Sequence, residues 1–255
     1  MKNLFSLEGR VALVTGGSRG IGRMIASGLL AQGAKVYISS RKAAACDETA
    51  RDLSAIGPCV SLAADVSTVE GARGLAAALA ARESTLDILV NNAGAAWGET
   101  FGTFPESGWD KVVDLNLKSP FFLTQALHEL LRKGAAGRPA KVINVASIDG
   151  ISVNPLETYS YAASKAGLIH LTKRLALRLI EDNIVVSGIA PGAFASDMNR
   201  VARDHGDEVA KRIPAGRIGA AEDMAGVAIY LASRAGDYVV GQTIVVDGGV
   251  TLARG

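Results

Sequence analysis

Thr15-Gly16-Gly17-Ser18-Arg19-Gly20-Ile21-Gly22 is the stretch that decides the fold. A short valine-rich run, residues 10–14, precedes it, and apolar residues with helical spacing follow it over 21–30. The pattern predicts a strand, a glycine-rich turn and then a helix. Glycines let a ligand approach the backbone, and the first turn of a helix offers unpaired N–H groups that suit a phosphate. The stretch predicts a nucleotide site, although an ordinary glycine-rich strand–helix turn has the same composition.

The composition of the chain excludes several classes of protein. Its 255 residues include 27 Lys and Arg and 25 Asp and Glu, so bulk charge favours neither a nucleic acid nor a membrane surface as partner. No apolar run reaches transmembrane length, and the first residues lack a signal-peptide core, which predicts a cytoplasmic protein. Because 49% of the residues are hydrophobic and only 5% aromatic, we expect an aliphatic core.

Cysteine and histidine are sparse. Cys46 and Cys59 are the two cysteines, and the histidines are His128, His170 and His205. Two cysteines in a chain of this length do not make a disulfide framework. We expect idle or buried thiols and no metal site.

Strand-like runs alternate with helical segments along the whole chain. The runs lie at 10–14, 35–39, 58–63, 86–90, 141–145, 183–189 and 242–246, and the helical patterns at 21–30, 43–55, 69–81, 109–131, 159–181 and 221–233. This order predicts an α/β fold, a single doubly wound Rossmann domain over 1–255 with a seven-stranded parallel sheet flanked by helices. The segment at about 193–215 has no strong period and is predicted to be a lid. Pro120 is expected to kink or break the helix over 109–131.

Residues at the end of the second predicted strand indicate which dinucleotide binds. An acidic residue there would hold the ribose 2′-hydroxyl of NAD, but the chain has Ser39-Ser40-Arg41-Lys42. Arg41, together with Arg19 of the glycine turn, would pair with a 2′-phosphate, which favours NADP(H). The alternative is that both arginines are solvated surface residues. Asp65, after the third strand, would either bond the adenine amino group or cap the next helix.

A tyrosine and a lysine four residues apart suit proton transfer. Tyr161 and Lys165 share one face of the helix predicted over 159–181, although this spacing alone is frequent by chance. A phenol has a pKa of about 10, and we expect the Lys165 ammonium to lower it. Such a pair can exchange a proton with a carbonyl or alcohol oxygen. Ser147, after the fifth strand, is placed to hold that oxygen, and Asn116 lies mid-helix, where asparagine is a mediocre helix former.

These motifs occur together in the order of a known family. Gly16, Gly20 and Gly22 are spaced differently from the common dinucleotide fingerprint. Together with Asn91-Asn92-Ala93-Gly94, Asn116, Ser147, Tyr161-Ala162-Ala163-Ser164-Lys165 and Pro191-Gly192, they make residues 7–249 resemble the short-chain dehydrogenases/reductases. Within that family the chain is most similar to the NADPH-dependent 3-oxoacyl reductases.

The resemblance implies a role for each site residue. Tyr161 would be the general acid in reduction, and Ser147 would position the carbonyl. Lys165 would bind the nicotinamide ribose and lower the phenol pKa, and Asn116 would hold a water in a proton relay. Pro191-Gly192 would lie against the nicotinamide, and Ser196 stands close to where the family often has a threonine that bonds the carboxamide. The predicted catalytic residues are Asn116, Ser147, Tyr161 and Lys165. The predicted cofactor-binding residues are Gly16, Ser18, Arg19, Gly20, Ile21, Gly22, Arg41, Asp65, Val66, Asn92, Ala93, Gly94, Tyr161, Lys165, Pro191, Gly192 and Ser196.

The function that the resemblance implies is transfer of hydride from NADPH to a ketone. A 3-oxoacyl thioester is the expected substrate class, with an acyl carrier protein as a candidate carrier. Two alternatives stay open, namely a dehydrogenase of a sugar, polyol or steroid-like alcohol, which the same groups would serve, and a nucleotide-sensing scaffold without catalysis. Surplus apolar residues on the helices over 109–131 and 159–181 predict a homo-oligomer, and the resemblance implies a homotetramer.

Overall fold

The computed structural model describes residues 2–196 and 199–253. In this part of the chain there are seven strands. They are β1 (Val11–Thr15), β2 (Lys35–Ser39), β3 (Cys59–Ser61), β4 (Ile88–Asn91), β5 (Ala140–Val145), β6 (Ile184–Pro191) and β7 (Thr243–Val246).

The helices mostly connect consecutive strands. They are α1 (Gly20–Ala31), α2 (Ala43–Leu53), α3 (Val69–Ala80), α4 (Glu106–Val113), α5 (Ser119–Ala126), α6 (His128–Gly134), α7 (Tyr159–Leu179), α8 (Arg200–Asp204), α9 (Gly206–Ala210), α10 (Ala221–Ala232) and α11 (Val250–Ala253). A π-helical turn, Asp114–Lys118, joins α4 to α5. No helix among the residues described is long and apolar enough to cross a membrane.

All strands are parallel and follow the order β3-β2-β1-β4-β5-β6-β7. The chain therefore winds outward from β1 in one direction and from β4 in the other. A crevice forms at such a reversal, outside the carboxyl ends of the two central strands. The predicted doubly wound Rossmann fold with a seven-stranded parallel sheet is confirmed.

Two apolar layers cover the two faces of the sheet. On one face, side chains of α1 and α10 such as Ile25, Leu29 and Leu231 pack on the strands. On the other face, α3, α5 and α7 contribute residues such as Leu75 and Leu123. Because both faces are covered, the central strands are continuous buried apolar runs, as parallel sheets require. This core holds the carboxyl edge of the sheet rigid.

The helix predicted over 109–131 differs from the structure in two ways. It begins earlier, at Glu106, and its interruption is the π-helical turn that lies ahead of Pro120. Pro120 itself lies in the first turn of α5, directly after the π-helical turn, and the backbone stays helical through both. A second helix end follows at Ala126, before α6.

The segment predicted to be a lid contains two short helices, α8 and α9, and its two ends meet. Phe194 and Gly219 form an isolated parallel bridge, and the Gly219 N–H donates to the Ala193 carbonyl at 2.9 Å. Further along, Ile213 packs with Ile148 and Val250 in a small separate apolar cluster. The segment is therefore tied to the core at its base.

Candidate active site

A cleft of about 1120 Å³ lies at the carboxyl ends of the central strands. It is lined by most of the residues predicted to bind a cofactor: Gly16, Ser18, Arg19, Gly20, Ile21, Gly22, Arg41, Asp65, Val66, Asn92, Ala93, Gly94, Tyr161, Lys165 and Ser196. Pro191 and Gly192 are not among the lining residues. Pro191 ends β6, and the Gly192 N–H donates to the Val246 carbonyl at 2.9 Å, so both belong to the sheet edge beside the cleft.

The glycine turn is held against the end of β4. Gly16 has a φ of +66°, and a Cβ there would lie 2.7 Å from Asn92 Nδ2. That amide donates to the Thr15 carbonyl at 2.8 Å, and the Thr15 hydroxyl accepts from the backbone N–H groups of Asn92 and Ala93 at 3.0 Å. Only glycine fits at position 16, because both the backbone conformation and the space exclude a side chain.

The N-terminus of α1 is open to an anion. Its N-cap residue is Arg19, whose backbone is extended and whose side chain makes no capping hydrogen bond. The first N–H groups of a helix need acceptors, and a phosphate supplies them. The turn and this helix end therefore fit the pyrophosphate of a dinucleotide.

The end of β2 fits the adenosine half of such a ligand. Ser39 is one of the residues that line the cleft, and its buried hydroxyl has no hydrogen-bond partner among the residues described. Arg41 Nη1 lies 3.9 Å from Asp65 Oδ2, and both side chains are about half exposed or more. Asp65 does not cap α3, because the Thr68 hydroxyl accepts from the Gly71 N–H at 3.0 Å as the N-cap. A cation and an unused hydroxyl next to a ribose position suit a 2′-phosphate.

Tyr161 and Lys165 lie in the first two turns of α7 and face β5. Lys165 Nζ donates to the Val145 carbonyl at 2.7 Å and lies 5.7 Å from the centre of the Tyr161 ring. Ser147 is the second residue after β5, and its hydroxyl lies near enough to the Tyr161 hydroxyl to affect the pKa of the phenol. The structure therefore brings together three of the four predicted catalytic residues as a serine, a phenol and an ammonium.

The Tyr161 phenol does not have the lowered pKa that we expected from the neighbouring Lys165 ammonium. Burial raises the pKa of Tyr161 to about 12, against the smaller opposing effect of the Ser147 hydroxyl, and the charge of Asp149 raises it further. Burial also lowers the pKa of Lys165 to about 8. Desolvation is the largest cause of the raised phenol pKa, because burial penalises the charged phenolate.

Asn116 lies in the π-helical turn, and its side chain is fully engaged. Its Oδ1 accepts from the Ala95 N–H at 2.8 Å, and its Nδ2 donates to the Ala95 carbonyl at 2.9 Å and to the Ser164 hydroxyl at 3.1 Å. Such π-helical turns occur frequently at functional sites. Asn116 thereby connects the loop after β4 to the helix that carries Tyr161.

Sequence reasoning missed four residues that shape the site. Ser39 and Ser164 lie within the cofactor-selecting stretch and the tyrosine–lysine motif, but nothing in those patterns gives either serine a role. Asp149 and Gly150 follow Ser147 in a single turn of 3₁₀-helix, Ile148–Gly150, which has no periodic signal in the sequence. A short turn of this kind is recognisable only once the strand before it and the helix it packs against are known.

Comparison with known proteins identifies the family to which the chain belongs. Residues 16–251 match the family model described as enoyl-(acyl carrier protein) reductase. The chain belongs to the short-chain dehydrogenase/reductase family. Among curated members of this family it is similar to the rhamnolipids biosynthesis 3-oxoacyl-[acyl-carrier-protein] reductase of Pseudomonas aeruginosa, with 50% identity over 99% of this chain and 100% of the relative.

One further curated relative and one solved structure are informative. The 2-dehydro-3-deoxy-D-gluconate 5-dehydrogenase of Dickeya dadantii is 40% identical, over 99% of each chain. The solved structure of the Pseudomonas aeruginosa RhlG/NADP active-site complex has a TM-score of 0.95 and 49% identity, over 98% of this chain and 100% of that one. The family predicted from the motifs is confirmed. As a member of it, the chain is an oxidoreductase.

Proposed function

We propose that this chain is an NADPH-dependent reductase that transfers hydride to the ketone of a 3-oxoacyl thioester. The observation that carries the proposal is the convergence of Ser147, Tyr161 and Lys165 on the same edge of the cleft that the glycine turn lines. The cation of Arg41 and the unused hydroxyl of Ser39 support NADPH as the cofactor. The similar Pseudomonas enzyme is named a 3-oxoacyl-[acyl-carrier-protein] reductase, and its structural counterpart is an NADP complex.

The residues of the site would divide the reaction between them. NADPH, when bound, supplies the hydride. Tyr161 would donate its hydroxyl proton to the carbonyl oxygen, and Ser147 would hold that oxygen by a hydrogen bond. Lys165 would bind the nicotinamide ribose, and Asn116 would hold a water of the proton relay. Pro191 and Gly192 would lie against the nicotinamide, with Ser196 near its carboxamide.

A ketone suits the donors of this site, although the family model is described by enoyl reductases. Reduction of a carbonyl leaves negative charge on oxygen, and a phenol and a hydroxyl side by side are hydrogen-bond donors for an oxygen. A sugar-acid ketone is the second candidate, since a gluconate-type dehydrogenase is 40% identical. The same catalytic groups would serve it.

A panel of ketones with NADPH tests the proposal. The panel contains acetoacetyl-CoA, longer 3-oxoacyl thioesters carried by coenzyme A or acyl carrier protein, and 5-ketogluconate, and the loss of NADPH absorbance is followed. We expect the highest kcat/KM for the thioesters. A preference for 5-ketogluconate would favour the second candidate, and no turnover of any ketone would contradict a reductase.

The proposal also covers the domain organisation, the oligomeric state and the cellular location of the protein. The chain would work as one domain over 1–255, with the segment at about 193–215 as a lid. It would form a homotetramer in the cytoplasm, and an acyl carrier protein would present the substrate. Exposed apolar side chains on α5 and α7 support an oligomer, since Phe121 is 36% and Leu177 is 70% exposed.

A further inference from the structure

The turn after Ser147 carries a carboxylate that the proposed reaction does not use. Ser147 has an extended backbone and caps the 3₁₀ turn Ile148–Gly150, since its hydroxyl accepts from the Asp149 N–H at 3.1 Å. Asp149 is thus linked by a hydrogen bond to the residue that would hold the substrate oxygen. Any movement of one moves the other.

This turn is pressed against the catalytic helix. A Cβ on Gly150 would lie 2.6 Å from the carbonyl carbon of Lys165 and 2.7 Å from the backbone nitrogen of Ala166. No side chain fits there, so glycine allows the turn to touch the backbone of α7 one turn beyond Tyr161. Asp149 is therefore held in a fixed place beside the site, not on a loose loop.

The Asp149 carboxylate is half-buried and makes no ion pair or hydrogen bond with the residues that the structure describes. Its charge nevertheless reaches the Tyr161 hydroxyl, where it contributes to the raised pKa of the phenol. Lys165, the cation that shares the site with Tyr161, is buried, and its Nζ donates to the Val145 carbonyl. The hydrogen bond between Asp149 and Ser147 therefore holds a negative charge, which has no ion-pair partner among the described residues, close to the place where a ketone must lie to receive a proton from Tyr161.

We propose that Asp149 is a specificity-determining residue that repels ketones carrying a carboxylate near the reacting carbonyl and admits uncharged ketones, esters and thioesters. This inference rests on the proposed function, because it presupposes that Tyr161 and Ser147 bind a ketone. Discrimination by like-charge repulsion is a common device, and it is strong at short range in a partly buried site. It separates a 3-oxoacyl thioester, whose reacting end is neutral, from a ketone of a sugar acid.

Two small ketones that differ only in charge test the inference. Ethyl acetoacetate and acetoacetate have the same reacting carbonyl, but acetoacetate carries a carboxylate at neutral pH. With NADPH, the wild-type protein should have a much higher kcat/KM for the ester. In Asp149→Asn, which keeps the shape and removes the charge, the ester-to-acid ratio should fall by about tenfold or more. Asp149→Glu keeps the charge and should retain the ratio.

Glu157→Gln is the matched control. This carboxylate belongs to the same loop but is already occupied, since it accepts from the Tyr159 hydroxyl at 2.9 Å and from the Phe101 N–H at 3.2 Å. Removal of the Glu157 charge should leave the ester-to-acid ratio unchanged. A general disturbance of the loop would instead change this ratio in both variants.

The outcomes separate this inference from the proposed function. If Asp149→Asn reduces the ester but keeps the wild-type ratio, Asp149 is not the determinant. An equal fall in the ratio for Glu157→Gln would also overturn the assignment. A wild-type protein that reduces neither compound, nor any thioester, contradicts the reductase itself and the inference with it.

Discussion

The side-chain amide of Asn116 donates to the hydroxyl of Ser164 across 3.1 Å, and that hydroxyl donates to the carbonyl of Tyr161 across 2.8 Å. The two bonds join the π-helical turn to the first turn of α7. The positions of the relay asparagine and of the proton donor are therefore set by one shared hydroxyl, which itself would touch neither substrate nor cofactor.

Ser164→Ala should lower kcat by about tenfold and change the KM for NADPH little. Ser164 is 1% exposed, so Asn116 Nδ2 would lose one of its two acceptors in a buried place, which costs about 1–3 kcal/mol. Steady-state kinetics and thermal unfolding measure both effects. Ser160→Ala is the control, because Ser160 is on the same helix, fully buried, and its hydroxyl has no partner among the residues described. Similar losses in both variants would argue against a positioning role.

Tyr161→Phe should abolish most turnover while the Kd for NADPH stays nearly unchanged. The substitution keeps the ring and removes the proton that would be transferred. Turnover is measured with acetoacetyl-CoA, and cofactor binding by quenching of protein fluorescence. Tyr159→Phe serves as control, since its hydroxyl bonds Glu157 on the other side of the helix start. Near-parental activity in Tyr161→Phe would show that the proton comes from elsewhere.

Arg41→Asp should reduce the preference for NADPH over NADH by about one to two decades. A charge-assisted hydrogen bond to the 2′-phosphate is worth about 1.5–3 kcal/mol, and the new carboxylate would also stand next to Asp65. The ratio of kcat/KM for the two cofactors is the measurement. Arg51→Asp, an exposed charge reversal in the last turn of α2, should leave that ratio alone. An unchanged ratio in Arg41→Asp would exclude Arg41 as the selector.

Burial of Lys165 should make the stability depend on pH in a defined window. Its pKa is about 8 in the folded protein, against 10.5 for a fully solvated lysine, so the unfolded chain binds more protons between these values. The free energy of unfolding attributable to Lys165 therefore rises with pH from about 8 to 10.5 and is least favourable below 8. Lys165→Met should lose this contribution while also losing cofactor affinity and rate. Urea unfolding at several pH values gives the free energy of unfolding of the wild type and of Lys165→Met. If this free energy changes with pH in the same way for both proteins, the prediction is wrong.

Light scattering on dilute protein should give the mass of a tetramer. Besides Phe121 and Leu177, large apolar side chains are exposed near β7 and the C-terminus, where Tyr238 is 99% and Leu252 is 88% exposed. Two such patches on different faces suit two perpendicular two-fold interfaces. Leu177→Glu should reduce the mass, whereas Val153→Glu, at a 94% exposed site in the loop before α7, should not. A fully active monomer would contradict the proposal.

The strands were the most predictable part of the fold. Buried valine- and isoleucine-rich runs such as Lys35–Ser39 have a short, unambiguous pattern, and β2 coincides with its prediction. The π-helical turn was not predictable, because Pro120 indicates only that one N–H is missing and not how the helix before it adjusts. The small helices α8 and α9 were missed because five residues are too few to show a period.

The site was predictable where a motif has a fixed local geometry. The glycine turn and the Tyr161–Lys165 pair each depend on neighbours in sequence, and the structure places them as expected. The pKa of Tyr161 was not predictable, because it depends on how much of the ring other elements bury. The role of Asp149 was equally hidden, since it depends on the contact of Gly150 with α7, far away in sequence.

The two ends of the segment predicted to be a lid lie next to each other. Sequence changes within the segment can therefore be distinguished from changes in the sheet and the catalytic residues. Since the chain returns at Gly219 to where it left at Ala193, the described residues between these two form an excursion that begins and ends at the same point of the sheet edge. If this segment is the proposed lid, an insertion, deletion or exchange within it would alter what covers the substrate without shifting a strand. Ile213 packs on Ile148, the neighbour of Ser147, so changes in sequence at Ile213 would disturb the catalytic residues. Substrate range and catalytic machinery can therefore be inherited as separate units on one scaffold.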